Sequence, residues 1–210
     1  IKPTVSKLLN NDHQLTEKAS QRTGDIIGFT RQADNYFVSG NYIFEKTIAK
    51  RFHSLSAIKR YWLADLEDAY NAAIPDGWVL EKAQEKAVRM ALVSYIFALS
   101  GGAGTGKTTT TRIIDAYRKL GFTIYPVALS GKAARRFQQS IGIKTSTIAR
   151  LLKEKHINDT NCVLMVDEAS MLDAYTMWRL VTLFSNRTRI ILIGDPHQLP
   201  PINAGFVLND

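Results

Sequence analysis

Leu99-Ser100-Gly101-Gly102-Ala103-Gly104-Thr105-Gly106-Lys107-Thr108-Thr109-Thr110 matches the pattern G-x-x-x-x-G-K-[ST], with Gly101 and Gly106 as its bracketing glycines. The run before it, Tyr95-Ile96-Phe97-Ala98-Leu99, is short, apolar and rich in β-formers, and reads as a buried parallel strand. After it, Ile113, Ile114, Tyr117 and Leu120 recur at helical spacing. Strand, glycine loop and helix form the setting of a phosphate-binding loop. A triphosphate must be wrapped by backbone N–H groups, and side chains at Gly102, Gly104 and Gly106 would obstruct that wrapping. Lys107 then reaches the β- and γ-phosphates, and the Thr108 hydroxyl stands where Mg²⁺ can be held at the helix N-terminus. The loop positions Gly102, Ala103, Gly104, Thr105, Gly106, Lys107, Thr108 and Thr109 are the candidate nucleotide contacts.

Downstream, strand and helix alternate as a parallel sheet with crossover helices requires. The strands are expected at Thr123 to Leu129, Cys162 to Asp167 and Arg189 to Gly194. Helices are expected at Gly106 to Leu120, Lys132 to Ile141, Thr145 to Glu154 and Ala174 to Phe184, with an amphipathic helix from Leu80 to Val93 ahead of the first strand. This is an α/β fold, a doubly wound parallel sheet with its ligand loops at the strand C-termini.

Further motifs fall at those ends. Cys162 to Val166 is an apolar strand that closes on Asp167-Glu168. One acid at the strand tip can hold Mg²⁺ and the next can orient or deprotonate an attacking water. Ile190-Ile191-Leu192-Ile193 opens into Gly194-Asp195-Pro196-His197-Gln198-Leu199-Pro200, where the Gln198 amide can hydrogen-bond a γ-phosphate or the attacking water. His197 has no metal partner at ligand spacing. In Leu129-Ser130-Gly131-Lys132-Ala133-Ala134-Arg135-Arg136 a helix N-terminus, the Ser130 hydroxyl, Lys132 and Arg135 can grip a nucleic-acid phosphate; a plain helix cap with solvated basic residues is the competing account.

The net charge is +8, unevenly placed. Lys+Arg against Asp+Glu is 10 to 9 over residues 1–80, 14 to 5 over 81–160 and 3 to 5 over 161–210. The basic excess thus surrounds and follows the glycine loop, and one lysine suffices for a nucleotide, so a second polyanion is implied, with nucleic acid first in line. The longest apolar run, Ala91 to Leu99, is too short to span a bilayer, which argues against a membrane partner. Cys162, the single cysteine, has apolar neighbours and reads as a core residue; it fits a reducing compartment, and the expected location is cytoplasmic.

Residues 1–77 are expected to form a separate N-terminal region, mixed and then helical, ahead of a domain over 78–210. Short strands are expected near Ile26-Ile27-Gly28-Phe29 and Tyr36-Phe37-Val38, followed by helices from Tyr42 to Leu55 and from Ser56 to Ala73. Pro75-Asp76-Gly77 supplies the turn that marks the boundary. Tyr61, Trp62 and Tyr70, with Lys59 and Arg60, could stack on single-stranded nucleic acid, although helix-spaced aromatics are more often core.

Taken together, the glycine loop, Ser130-Gly131-Lys132-Ala133-Ala134, Asp167-Glu168-Ala169-Ser170-Met171 and Gly194-Asp195-Pro196-His197-Gln198-Leu199-Pro200 resemble, in order and spacing, the RecD-like branch of superfamily one DNA helicases. Gln84 looks like that family's adenine-reading glutamine. The resemblance covers about residues 42–210 and implies a RecA-like P-loop ATPase domain with a parallel sheet and flanking helices, preceded by a small mostly helical region. It implies ATP and Mg²⁺ as cofactors, with Lys107, Thr108, Asp167 and Glu168 in hydrolysis, Gln198 as γ-phosphate sensor, and Ser130 with Lys132 on single-stranded DNA translocated 5′ to 3′. Other subunits of a nuclease or recombination complex are further expected partners. Two departures stand out: Leu129-Ser130 replaces the family's Pro-Thr, keeping the hydroxyl, and Ala149 stands where His is usual. The chain starts without Met and stops soon after the Gln198 loop, so a truncated fragment is expected, weakly active without a second motor domain. A P-loop kinase of a small metabolite would use Lys107 and Asp167 but leaves the Gln198 loop and the basic block unexplained. A nucleotide-gated DNA-binding module would use all of them without unwinding.

Overall fold

The computed structural model describes residues 29–32, 35–58, 64–100, 106–154, 156–195 and 198–208. Two compact units divide the chain, Ile1–Thr47 and Ile48–Asp210. In the first, β1 (Phe29–Gln32) pairs antiparallel with β2 (Asn35–Val38). The strand expected at Tyr36 to Val38 lies in β2; Ile26, Ile27 and Gly28 lie outside the described residues. Helix α1 (Ser39–Ser56) starts in this unit and runs across the division.

The second unit includes α2 (Ala64–Ala73). Leu66, Tyr70 and Ala73 are buried in one apolar cluster with Val88, Ala91 and Leu92 of α3 (Lys82–Val93) and Ile113, Ile114 and Tyr117 of α4 (Gly106–Lys119). The Arg89 guanidinium clamps α2 to α3: it donates to Glu67 and Glu85, each at 2.9 Å, and lies 4.2 Å over the Tyr70 ring. Of the two readings of Tyr70, the structure selects core. Tyr61, Trp62, Lys59 and Arg60 lie outside the described residues. The helix expected from Ser56 to Ala73 is present over Ala64–Ala73, and Ala57 and Ile58 follow α1 outside any helix.

Beyond the Pro75–Gly77 turn, closed by the Trp78 N–H donating to the Pro75 carbonyl at 3.0 Å, the remaining elements alternate. They are β3 (Ile96–Ser100), β4 (Thr123–Ala128), α5 (Gly131–Ile141), β5 (Ser146–Thr147), α6 (Ile148–Leu151), β6 (Cys162–Asp167), a 3-10 turn (Ala169–Met171), α7 (Ala174–Leu183) and β7 (Arg189–Gly194). All five strands β3 to β7 are parallel, in the order β3-β7-β6-β4-β5. Both faces are covered, as a parallel sheet requires. Val163, Met165 and Ile191 face the cluster with α3 and α4. On the other face Tyr125 meets Phe184 edge to face at 5.2 Å, and Met177 and Leu180 of α7 are fully buried. Cys162 is buried, as its neighbours indicate, and burial pushes its thiol pKa up, so it is no ready nucleophile.

One expected helix is replaced. Thr145 to Glu154 forms the two-residue strand β5 and then the four-residue α6. Thr147 and Ile148 are β-branched and stiff at χ1, and the flank of β4 at Val127–Ala128 offers strand pairing to Ser146–Thr147. The Thr147 hydroxyl then caps α6 by accepting from Arg150 N–H at 3.2 Å.

Arg189, at the start of β7, is fully buried and locks the lower end of the sheet. Its Nη1 donates to the Ser94 and Leu92 carbonyls at the end of α3, at 2.9 and 3.2 Å, and its guanidinium lies 4.1 Å over Tyr95. A cation at a helix C-terminus faces the negative end of the helix dipole, and aromatic faces complete its enclosure.

Candidate functional site

Strand register assembles the motifs. Ser100 pairs with Gly194 across β3 and β7, Val166 with Leu192 across β6 and β7, and Ala128 with Asp167 across β4 and β6. Four strand C-termini therefore open on one edge, in the spatial order glycine loop, Gln198 loop, Asp167–Glu168 and Ser130. Gly101 to Thr105 lie outside the described residues; β3 delivers the chain to them at Ser100, and α4 takes it up at Gly106 with Lys107, Thr108 and Thr109 in its first turn. That first turn points unpaired backbone N–H groups and a positive dipole end at the edge. Thr108 is half-buried, Thr109 buried.

Gln84 lies in the first turn of α3, the helix that precedes β3 in the chain. The Gln84 side-chain oxygen accepts from the Glu81 N–H at 3.2 Å, which fixes the amide at the head of the helix.

At the end of β6, Asp167 is half-buried and burial pushes its carboxyl up from the usual range. The Glu168 charge adds to that rise, while a backbone hydrogen bond from Glu168 and the Arg136 charge oppose it. Glu168 is the single non-glycine residue with positive φ among those described, at φ 55° and ψ 39°. A bulky residue in the left-handed region costs energy and is found where the surroundings over-determine it. Here they do: the 3-10 turn starts on the Glu168 carbonyl, which accepts from Met171 N–H at 3.1 Å, and its backbone packs on Gly194. A Cβ at Gly194 would stand 2.9 Å from the Ser170 nitrogen, so only glycine admits this approach of β7 to the turn. The buried Ser170 hydroxyl has no hydrogen-bond partner among the described residues.

After Gly194 the Gln198 N–H donates to the Asp195 carbonyl at 3.0 Å, and Gln198 is exposed; Pro196 and His197 lie outside the described residues. The rest of the loop is pinned to the head of α7. Asp173 caps that helix by accepting from Thr176 N–H at 2.7 Å, and its second oxygen accepts from Asn203 at 2.6 Å. Burial alone would raise the Asp173 pKa; the hydrogen bonds from Asn203 and Thr176 outweigh it and hold the carboxyl below the usual range.

Ser130 is the N-cap of α5: its hydroxyl oxygen accepts from Ala133 N–H at 3.1 Å. The cap is therefore present, and the hydroxyl retains its hydrogen for a donor bond outward. Lys132 and Arg135 are exposed on the first turns of α5, with Ala133, Ala134 and Phe137 turned inward. The structure adds two contacts that motif reading does not supply. Arg136 approaches Glu168 at 4.0 Å, and Asn203 holds Asp173. Helical spacing from Lys132 places Arg136 on the same face; its acidic partner is 32 residues away in the chain (168 − 136) and leaves no local signal.

The family model described as an AAA domain matches residues 79–210. The chain belongs to the AAA domain family. An ATP-dependent RecD2 DNA helicase from Deinococcus radiodurans is 34% identical over 150 residues, 63% of this chain and 21% of that protein. A RecBCD enzyme subunit RecD from Haemophilus influenzae is 35% identical over 162 residues, 60% of this chain and 25% of that one. A conjugal transfer protein TraA from Rhizobium radiobacter is 35% identical over 116 residues, 52% and 10%. The crystal structure of Pif1 helicase from Candida albicans aligns over 60% of this chain and 35% of that one, with 20% identity and a TM-score of 0.40, too low to carry an argument. The RecD-like resemblance of the motifs and the α/β P-loop fold are thus borne out for this AAA domain, which spans a minor part of each relative's length. Among the described residues no helix is long and apolar enough to cross a membrane.

Proposed function

We propose that this chain is the nucleotide-hydrolysing part of a DNA motor, converting ATP hydrolysis into 5′ to 3′ movement along single-stranded DNA and separation of the duplex ahead. The observation that carries this reading is the juxtaposition, by strand register, of an acidic pair and a basic, hydroxyl-capped helix start on one sheet edge. An acidic pair alone serves many nucleotide enzymes; a phosphate-gripping helix beside it gives the hydrolysis something to act on.

The residues fit a Mg²⁺-bound triphosphate. Asp167, whose burial makes an unpaired charge costly, gains by meeting a divalent cation, and the hydroxyl of Thr108 offers a second oxygen ligand. Asp167 and the Thr108 hydroxyl would hold the magnesium ion, which would supply positive charge to offset that of the phosphates. Lys107 and the backbone of residues 102–109 cradle the phosphates, and Gln84 reads the base edge. Glu168 orients and deprotonates the attacking water, and Gln198 senses the γ-phosphate and passes its loss to the loop pinned on α7. Ser130, Lys132 and Arg135 hold the DNA backbone. Protein partners of the kind implied by the RecBCD subunits among the relatives fit the same reading.

The test is strand displacement by the intact protein on a duplex with a 5′ single-stranded tail. Displacement that disappears in Lys107→Ala supports the motor. ATP-dependent DNA binding with no displacement on either tail polarity rejects it in favour of a nucleotide-gated binding module. The 210 residues alone are expected to hydrolyse ATP slowly, with little stimulation by DNA.

A further inference from the structure

The outer side of α7 carries a stripe that neither the nucleotide site nor α5 uses. Tyr175, Trp178, Arg179 and Thr182 recur at the three- and four-residue steps that put side chains on one side of a helix. The Tyr175 and Trp178 rings stack with centroids 6.0 Å apart and planes 28° apart, and the Arg179 guanidinium lies 5.9 Å over the Tyr175 ring. Tyr175 is 48% exposed and Trp178 half-buried. A core aromatic of this domain behaves differently: Tyr117 is fully buried and its hydroxyl donates to the Ala91 carbonyl at 2.6 Å.

The segment after α6 runs beside the stripe. His156 Nδ1 donates to the Thr182 carbonyl at 3.1 Å, Ile157 N–H to the Leu183 carbonyl at 2.8 Å, and Ser185 N–H to the Ile157 carbonyl at 3.0 Å. Between that segment and α7 lies a groove lined by Leu152, His156, Trp178, Arg179, Thr182 and Leu183. Two further clefts border α6, and across the three the charged lining residues are the cations Lys144, Arg150, Lys153 and Arg179 against the single anion Glu154. A positively charged groove with aromatic rings along it suits single-stranded nucleic acid, whose phosphates the cations track and whose base faces the rings take. The centre of a protein-binding groove is apolar and poor in charge, and a guanidinium beside the Trp178 ring does not fit that description.

Position agrees with chemistry. Helix α7 starts beyond the end of β6 and α6 at the end of β5, and β4, whose end leads to Ser130, lies between those two strands. A strand gripped at the head of α5 has only the end of β4 to cross before it meets the heads of α6 and α7.

We infer that the groove between α6 and α7 is a second nucleic-acid contact, taking bases of the single strand on Tyr175 and Trp178 and phosphates on Lys153 and Arg179 once the strand has crossed the sheet edge. This deepens the reading above and rests on α5 as the helix that holds the DNA backbone. The head of α5 then holds the strand by its phosphates, and the groove holds it by its bases as well. Stacking of this kind is indifferent to sequence, because every base has a π-face.

The experiment measures binding of the intact protein to fluorescent oligothymidylates of about 6 and about 20 nucleotides, lengths that bracket an ordinary single-strand site. Tyr175→Ala and Trp178→Ala are each expected to weaken the long oligonucleotide about five- to tenfold, the lower part of what one stacked base contributes, and to leave the short one unchanged. Trp178→Phe keeps most of the affinity, because a ring face remains. Arg179→Ala lowers the slope of log affinity against log salt by about 0.7 for the long oligonucleotide alone. Tyr175 is exposed, so its variant is not confused with a loss of fold. Long-oligonucleotide affinity that is unchanged in Tyr175→Ala and Trp178→Ala overturns the inference and leaves the groove to a protein partner. Equal losses on both lengths overturn it as well, since the rings then act elsewhere than on the far part of the strand. A wild type that binds neither oligonucleotide removes the DNA-holding reading of α5 and the groove contact with it, and is told apart because it precedes any substitution.

Discussion

Two strand-to-helix junctions at the sheet edge solve the same problem differently. From β4 the chain turns directly into α5 under a neutral cap, Ser130, with exposed cations on the first turns. From β6 it passes through a left-handed Glu168 and a 3-10 turn before α7 starts under an ionised cap, Asp173, tied to Asn203. The first junction is relaxed and basic. The second is strained, acidic and cross-braced by the Gln198 loop. A helix start under a simple cap leaves its side chains free to move, whereas a carboxylate carried on a left-handed residue has its direction constrained, at a cost in backbone strain.

The largest break in that contrast is expected from Glu168→Gln, which keeps the shape and removes the proposed base. ATPase of the intact protein should fall about 10²-fold or more while nucleotide binding by titration persists. Retention of more than a tenth of the rate would show that Glu168 does not act on the water.

Next come the glycines beside each junction. Gly205 sits at φ +98°, and a Cβ there would lie 2.5 Å from the Ala174 Cβ at the head of α7; Gly205→Ala is expected to destabilise by about 2–4 kcal/mol. At the other junction Gly131 has open space and an ordinary φ, so Gly131→Ala should be neutral or stabilising by up to about 1 kcal/mol. Thermal or denaturant unfolding of the two variants checks the pair, and equal losses would erase the distinction between braced and relaxed junctions.

The caps should differ in pH dependence. Because the folded pKa of Asp173 is depressed, its contribution is fully present above the unfolded carboxyl value of about 4 and is lost as pH falls through the lower folded value. Asp173→Asn should therefore cost stability at pH 7 and flatten the acid limb of the stability profile. Ser130→Ala carries no such pH signature and should cost about 1 kcal/mol at any pH.

The smallest effect is expected at Lys132→Ala: DNA affinity falls modestly, and the slope of log affinity against log salt loses about one unit. An unchanged slope would take Lys132 off the DNA backbone.

Legibility from sequence followed the range of the interaction. The strands Cys162–Asp167 and Arg189–Gly194 coincide with their expected bounds, since each is an apolar run ended by a polar or glycine residue, a signal contained within the segment itself. The stretch from Thr145 to Glu154 carries apolar spacing that suits a helix, and only the neighbouring flank of β4 makes a strand of its first part. The packing of α2 was hidden for the same reason. Nothing local to α2 says that Leu66 and Tyr70 will be buried against α3 and α4.

By itself the sequence determined the parts: a glycine loop between strand and helix, a strand ending in two acids, a strand opening on Gln198, and a basic helix start under a hydroxyl. Those are decided by residue type over a few positions, where backbone preference and side-chain chemistry act without distant partners. Only the tertiary structure decided their order along the edge, the left-handed turn at Glu168, the Asn203 brace on Asp173, the buried Arg189 and the approach of Arg136 to Glu168. Each of these joins residues remote in the chain, and such pairings are set by strand register and by which faces the fold buries together, a competition among many possible partners that no single segment encodes.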